Sequence, residues 1–452
     1  MKIIDLKKRL NFLFVISTLL ISTTSFAQTN TGFRASVVKI NITPDQPKQL
    51  LGYGARVSTG VQDSIYHRIV AMDDGITQFF LVSTEICLMS PSEYDHVASM
   101  LQKKLGIKPV NFWWTVTHTH SAPEIGVPGL AEVFLGDRYK HAVDTAYTTF
   151  VEKTLIEGIQ QARKNLEPAR LGVGWGHSQA NINRRAVDID GKASLGLNPD
   201  GPVDRRLGLI RIEKLDKSPL ALLINYPIHG TVLGQQNVMI SGDVTGVVSD
   251  YVEQHTGVPA LFINGAAGNL APIYSVYPNA RAGHLSQFRV LLGDKILDAN
   301  NSIGYTTDSV KISSGAMIVE SHRRTNLGWP AYLGTYSRTE KNGDNLVRLP
   351  VRFLKLNEDI AIWSAPLELF CEISNEIRDR SPFPYTFYYG YTNGWLGYLP
   401  AEKEWKHGGY EVDVVCPFTP SMPGRLTESV VSYLQGELRS EKSGKPDSTK
   451  KQ

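Results

Sequence analysis

Only three cysteines, Cys87, Cys371 and Cys416, occur in 452 residues, too few for a disulfide framework. Cys87 falls in "FFLVSTEICLM", which reads as a buried strand and makes Cys87 an inert core thiol. The core must therefore hold by burial of apolar surface alone, which a chain of this length can supply. Charge of one sign is also scarce. The net charge of +3 argues against nucleic acid or an anionic membrane as the main partner. No Pro/Ser-rich linker, repeat or low-complexity stretch interrupts the chain before the polar tail "RSEKSGKPDSTKKQ". Residues 28–437 thus read as one catalytic-sized domain and 438–452 as a disordered tail. Long apolar runs are missing too. The one candidate, "LNFLFVISTLLIS", follows Lys7, Lys8 and Arg9 and precedes small residues around Ser25 and Ala27. It is too short to span a bilayer stably and reads as a secretory signal peptide over residues 1–27. An exported protein is expected, periplasmic or secreted, with no stable membrane anchor. The sequence leaves the oligomeric state open.

What is present is a succession of short apolar runs. "RASVVKINITP", "HRIVAMDDG", "NFWWTVTHTH", "ARLGVGWG", "LGLIRIE", "LALLINYPIHG", "ALFINGAAGN" and "DIAIWSAPLELF" have strand length and are rich in Val, Ile, Leu and aromatic residues. Between them, "SEYDHVASMLQKKLG", "YTTFVEKTLIEGIQQARKNL" and "TGVVSDYVEQHTG" carry helical periodicity. This alternation predicts an α/β (α+β) fold with a large mixed β-sheet core flanked by helices. Several strands end in polar, Gly-rich or His-bearing loops, the kind of rim on which sites are built.

Four elements stand out at that rim. His118 and His120 are two residues apart, so in a strand they would share a face roughly 7 Å apart. That spacing is awkward for two ligands of one small ion. His229 follows a buried strand, where a lone histidine is more often a hydrogen-bonded structural residue than a ligand. Glu368 sits in an apolar strand end, and a buried carboxylate demands a cation or several donors; an arginine would satisfy it equally well. The fourth element, "YTNGWLGYLPAEKEWKHGGYE", is an aromatic, Gly-rich stretch that reads as an irregular loop packed over a site.

In order along the chain, the motifs resemble those of the neutral/alkaline (non-lysosomal) ceramidase family. "THTHSAP" is similar to that family's Thr-His-Thr-His-Ser-Gly-Pro, and "ANINRRAVD" to its Asn-Ile-Asn-Arg segment. "IHGTVLGQQNVMISGDVTGVVSDYVE" resembles its second-histidine stretch. "GNLAP" stands where the family has Gly-Asp-Val-Ser-Pro, and "APLELF" where it has a Pro-Gly-Glu-Phe-like turn. The resemblance runs from about residue 33 to 412 and implies the fold of the ceramidase catalytic domain. It also implies Zn2+ held by His118, His229, Glu368 and Tyr398, a donor set that suits zinc better than calcium or magnesium. His120 is then left free to move protons, and Arg184 corresponds to the family's substrate-contacting arginine. The polypeptide ends soon after the aromatic loop, so the β-sandwich domain that follows in typical ceramidases is expected to be absent.

Two departures shape the functional expectation. Ala271 replaces the family's serine and Asn269 its aspartate, so no covalent route through a hydroxyl at 271 is possible; a route through activated water survives. Arginines are also numerous: Arg185, Arg205, Arg206, Arg323, Arg324, Arg338, Arg348 and Arg352 accompany Arg184. Such forks suit carboxylates, and Trp395 could stack on a sugar ring. The expected substrate is accordingly an anionic, uronic-acid-containing oligosaccharide cleaved by β-elimination. His120, Tyr398 and Arg184 would be catalytic, and Arg185, Arg205, Asn269 and Trp395 would bind substrate. The alternative is hydrolysis of a small-molecule N-acyl or ester substrate by zinc-activated water.

Overall fold

The structure is a computed structural model that describes residues 32–54, 56–136, 141–275 and 284–443. The expected signal peptide lies outside the described residues, as do residues 444–452 of the expected tail. The chain opens with β1 (Arg34–Asn41), β2 (Tyr66–Asp73) and β3 (Gln78–Thr84), then α1 (Pro91–Leu105) and β4 (Phe112–Val116). Next come α2 (Thr145–Lys164), β5 (Glu167–His177), β6 (Asn181–Val187), β7 (Ala193–Asn198), β8 (Arg206–Lys214) and β9 (Pro219–Tyr226). Then follow α3 (Asp243–Thr256), β10 (Ala260–Asn264), β11 (Leu270–Pro272), β12 (Ile312–His322), β13 (Asn345–Leu356) and β14 (Ile360–Ser364). The last elements are β15 (Glu368–Leu369), α4 (Cys371–Arg380), β16 (Tyr385–Tyr389), β17 (Tyr398–Leu399) and α5 (Met422–Ser443). The boundary expected at residue 437 falls inside α5.

Local chemistry sets several of these ends. At α1, the Ser90 side chain accepts from Ser92 N, Pro91 occupies the first turn, and Gly106 ends the helix at φ 68° with its N–H on Gln102 O. These are the expected start and stop devices. Asp144 caps α2 by accepting from Tyr147 N.

Eight strands form one sheet in the order β10-β9-β8-β5-β1-β2-β3-β4. The pairs β9·β10 and β3·β4 are parallel and the rest antiparallel, so the sheet is mixed. A second sheet, β12-β13-β14-β16, packs against it. Phe79, Leu81, Trp113, Ile210 and Leu223 of the first meet Leu354, Ile362 and Phe387 of the second in one buried cluster. On its outer face the large sheet buries Val82 and Trp114 against Val97 and Leu101 of α1 and Val151 and Leu155 of α2. Around Leu222 and Phe262 it packs against Val244 and Val248 of α3. The second sheet covers its own outer face with α4 and α5. The result is a four-layer helix–sheet–sheet–helix stack, as the alternation predicted, with the second stacked sheet added. Burying each such Leu, Ile or Phe contributes roughly 1.5–3 kcal/mol, which explains how the core holds without disulfides; all three cysteines are free and buried. Among the described residues no helix is long and apolar enough to cross a membrane.

The layers bring the loops after β4, β9, β10 and β16 to one rim. Asn264 ties them together. Its Oδ1 accepts from Ile228 N, its Nδ2 donates to Thr117 O and Ile228 O, and its carbonyl accepts from Gly390 N.

Candidate active site

Strand β4 stops at Val116, two residues before His118, so the two histidines do not share a strand face as expected. His118 has φ 64°, a left-handed conformation uncommon for a non-glycine residue. The turn it makes brings His118 Nε2 and His120 Nε2 to 3.2 Å. The neighbouring loop interlocks with this turn: Thr119 bridges Gly230, and His120 N donates to Gly230 O. A Cβ on Gly230 would sit 2.6 Å from His118 O and Thr119 Cα, so only glycine permits the approach. Asp243, also left-handed at φ 52°, holds the other end of that loop by accepting from Val232 N and Leu233 N.

His118 Nε2 and His229 Nε2 each lie 3.1 Å from Glu368 Oε2. Their Nδ1 atoms face the carbonyls of Cys87 (3.0 Å) and Leu270 (2.9 Å). A carbonyl only accepts, so both Nδ1 atoms carry a proton; each Nε2 can then offer a lone pair to an ion or, in an imidazolium, donate to Glu368. Tyr398 Oη, 3.3 Å from His229 Nε2, accepts from Arg184 Nη2 at 3.0 Å. The centre thus gathers two imidazole nitrogens, a carboxylate and a phenol oxygen, and among the protein groups alone a proton on His118 serves its close approach to Glu368. Two imidazoles and a carboxylate converging in this way can hold a metal ion, and the phenol of Tyr398 stands beside them.

Electrostatics among the protein groups agree. Burial would raise Glu368, but the His118 charge and both histidine hydrogen bonds hold it well below the usual carboxylate range. Burial alone would lower His118; the carboxylate overrides it and raises His118. His229 is lowered to about 3 by burial and then by Arg184. One carboxylate thus supports one imidazolium, not two. His120 is lowered by burial and by His118 and His229. Burial and the charge of Glu368 push Tyr398 up, against the pull of Arg184.

His118, His120, Glu368 and Tyr398 line a cavity of about 560 Å³ with Arg184, Ala271, Tyr53, Tyr410, Thr231, Ser275 and Gln235, and His229 lies buried behind them. Its remaining wall is largely apolar, including Leu50, Leu51, Leu88, Leu135 and Leu195. The structure thus brings together His118, His120, His229, Glu368, Tyr398 and Arg184.

Of the expected substrate-binding set, only Trp395 lines the cavity. Arg185 is buried in ion pairs with Glu404 (2.9 Å) and Glu411 (2.7 Å). Asn269 donates to Glu372 and accepts from Cys371 N. Neither lines the cavity, and Arg205 does not either. The indole N–H of Trp395 donates to Glu368 Oε1 at 3.0 Å, so Trp395 also steadies the carboxylate. Arg338 and Arg348 pair with Glu320, and Arg324 with backbone carbonyls. Without those arginines the anionic-saccharide expectation loses its support.

Some site residues escaped sequence reasoning. Cys87 lies past the end of β3, lines the cavity, and places Sγ 3.8 Å from His118 Nδ1. Tyr391 stacks on His118 at 4.3 Å and donates to Glu368 Oε2 at 3.3 Å. Tyr410 faces the cavity 5.9 Å from the Tyr398 ring; only its place in the aromatic loop hinted at it.

The profile of the neutral/alkaline non-lysosomal ceramidases, N-terminal region, matches residues 36–272, just over half of the chain. The chain belongs to this family. Neutral ceramidase B of Dictyostelium discoideum is 26% identical over 255 residues, covering 52% of this chain and 33% of that protein. The neutral ceramidase of Mycobacterium tuberculosis is 24% identical over 219 residues, covering 46% and 33%. The fold is that of the Pseudomonas aeruginosa neutral ceramidase structure, with a TM-score of 0.72 at 17% identity over 93% of this chain and 76% of that one. Against the curated ceramidases the match spans about a third of their length.

Proposed function

We propose that this chain is an exported, metal-dependent hydrolase of the ceramidase family, cleaving the amide of an N-acyl lipid. The observation that carries this reading is the convergence of His118 and His229 on Glu368, with the Tyr398 hydroxyl against His229, beside a cavity with a largely apolar wall. Two nitrogens and two oxygens in this set suit zinc, which His118, His229, Glu368 and Tyr398 would hold. When bound, such an ion supplies Lewis acidity that acidifies water and polarises a carbonyl.

The remaining roles belong to side chains. His120, a neutral imidazole facing the same centre, takes the proton of the attacking water and delivers it to the leaving amine. Arg184, anchored on Glu411, keeps the Tyr398 oxygen an acceptor. Tyr410 offers a phenol to the oxygen that gains charge in the tetrahedral stage. Ala271 presents only a methyl group to the cavity, so water is the nucleophile and no acyl-enzyme forms at this position. The apolar wall takes the acyl chain; Thr231, Gln235 and Ser275 offer hydrogen bonds to the polar head.

Purified protein incubated with N-acyl substrates of varied head group should release free fatty acid, and His120→Gln should stop the release. Absence of any fatty-acid release, together with an ultraviolet-absorbing product from uronate oligosaccharides, would reverse the reading in favour of elimination.

A further inference from the structure

Outside the candidate ligands, one cation stands where three site loops meet. Arg56 begins the short strand Arg56–Val57, which pairs with Gln49–Leu50 at the cavity wall. Its Nη2 donates to His120 O at 2.6 Å and Leu51 O at 3.2 Å, and its Nη1 donates to Asn237 O at 2.6 Å. Those carbonyls belong to the His118–His120 turn, the cavity-wall loop and the loop that follows His229. Asn237 continues the link by donating to Ser121 Oγ at 2.9 Å. The guanidinium also lies 4.9 Å over the Tyr53 ring, and that ring meets the His120 imidazole edge-on at 4.7 Å. On the same side Gly52 leaves no room: a Cβ there would sit 2.5 Å from His120 Cγ and Nδ1.

Among the described residues no other polar contact fixes the outer side of the His120 ring. Its Nδ1 is buried without a hydrogen-bond partner. The ring is held by shape, through Tyr53 and Gly52, and by its own carbonyl, through Arg56. A planar fork can serve three carbonyls at once, whereas an ammonium is a point charge on a flexible stem.

We propose that Arg56 is the positioning residue for His120: it locks three loops so that the imidazole stays aimed at the centre. It touches neither the candidate ligands nor the substrate, so its loss alters turnover and not metal binding. The inference rests on the hydrolase reading for its kinetic arm, and a second arm is independent of it.

The test compares Arg56→Ala and Arg56→Lys with wild type, measuring fatty-acid release, zinc content and histidine 15N resonances, each with and without added guanidinium chloride at low millimolar concentration. For Arg56→Ala the expected result is a fall in kcat of roughly 100-fold with KM little changed, zinc content kept, and partial recovery with guanidinium. Arg56→Lys should recover far less. The His120 ring resonances, assigned with His120→Gln, should shift or broaden in Arg56→Ala and return with guanidinium, while those of His118 and His229 stay. Unchanged kcat in Arg56→Ala, or unchanged His120 resonances, would overturn the proposal. So would a loss that tracks melting temperature and ignores guanidinium. If wild type hydrolyses nothing, the functional reading fails, and the resonances alone decide the role of Arg56.

Discussion

Glu368 and Tyr398 are register partners in a two-residue parallel ladder, β15 against β17. Thirty positions apart in sequence, they are fixed side by side by backbone pairing, and Glu368 N donates to Gly397 O beside them. The carboxylate and the phenol therefore arrive at the centre as one unit. The two imidazoles come from the opposite side, on loops that interlock at Thr119 and Gly230.

Removing a ligand should remove the metal. His118→Ala and Glu368→Gln are each expected to reduce zinc from about one ion per chain to near zero after dialysis, since a site losing one of so few protein ligands loses most of its affinity. Plasma emission analysis of the purified variants checks this. Full zinc content in both would show that the ion sits elsewhere.

The indole of Trp395 should matter for metal and not for substrate. Trp395→Phe keeps a ring at the cavity wall but deletes the donor to Glu368 Oε1. Outer partners of metal-ligating carboxylates typically contribute about 10–100-fold in affinity. Competition with a chromophoric chelator should show a loss of that order, with KM nearly constant.

Gly52→Ala tests how tightly the His120 ring is cradled. The added methyl would meet the imidazole at 2.5 Å, and Gly52 has φ +112°, where side chains are rarely tolerated. Crowding and strain together should cost about 1–3 kcal/mol of stability and lower turnover at least about tenfold. Urea unfolding and initial rates report the two effects separately.

Acid should weaken the fold through His67. Its Nε2–H donates to Val151 O at 3.1 Å, and its Nδ1 accepts from Thr84 Oγ1 at 2.7 Å. Thr84 Oγ1 in turn accepts from Trp114 Nε1 at 2.8 Å. This chain saturates a neutral imidazole, and burial lowers its pKa to about 4. Above pH 6.5 folded and unfolded states are both neutral at this group. As pH falls below 6.5 the unfolded chain takes a proton that the folded protein refuses until about pH 4, so stability is lost across that window. A shift of this size corresponds to about 3 kcal/mol. His67→Gln should flatten the pH dependence of urea unfolding between 6.5 and 4, whatever it does to stability at neutral pH.

Much of this protein could be read from its residues in order. Apolar runs of strand length alternating with helical periodicity determined the mixed sheet and its helices, because burial must follow those periods. Motif order pointed to the family and to His118, His229, Glu368 and Tyr398 as a convergent group. Pairing decided the rest. Arg185 and Asn269 look like site residues in sequence, yet tertiary partners at Glu404, Glu411 and Glu372 consume them. Trp395 does reach the cavity, and its N–H is in addition given to Glu368. Whether a charge or a donor is free depends on what lies opposite it in space, and no spacing along a chain encodes that. The relation of His118 to His120 is the sharpest case. A strand would hold them apart on one face; a single left-handed residue turns them onto one centre.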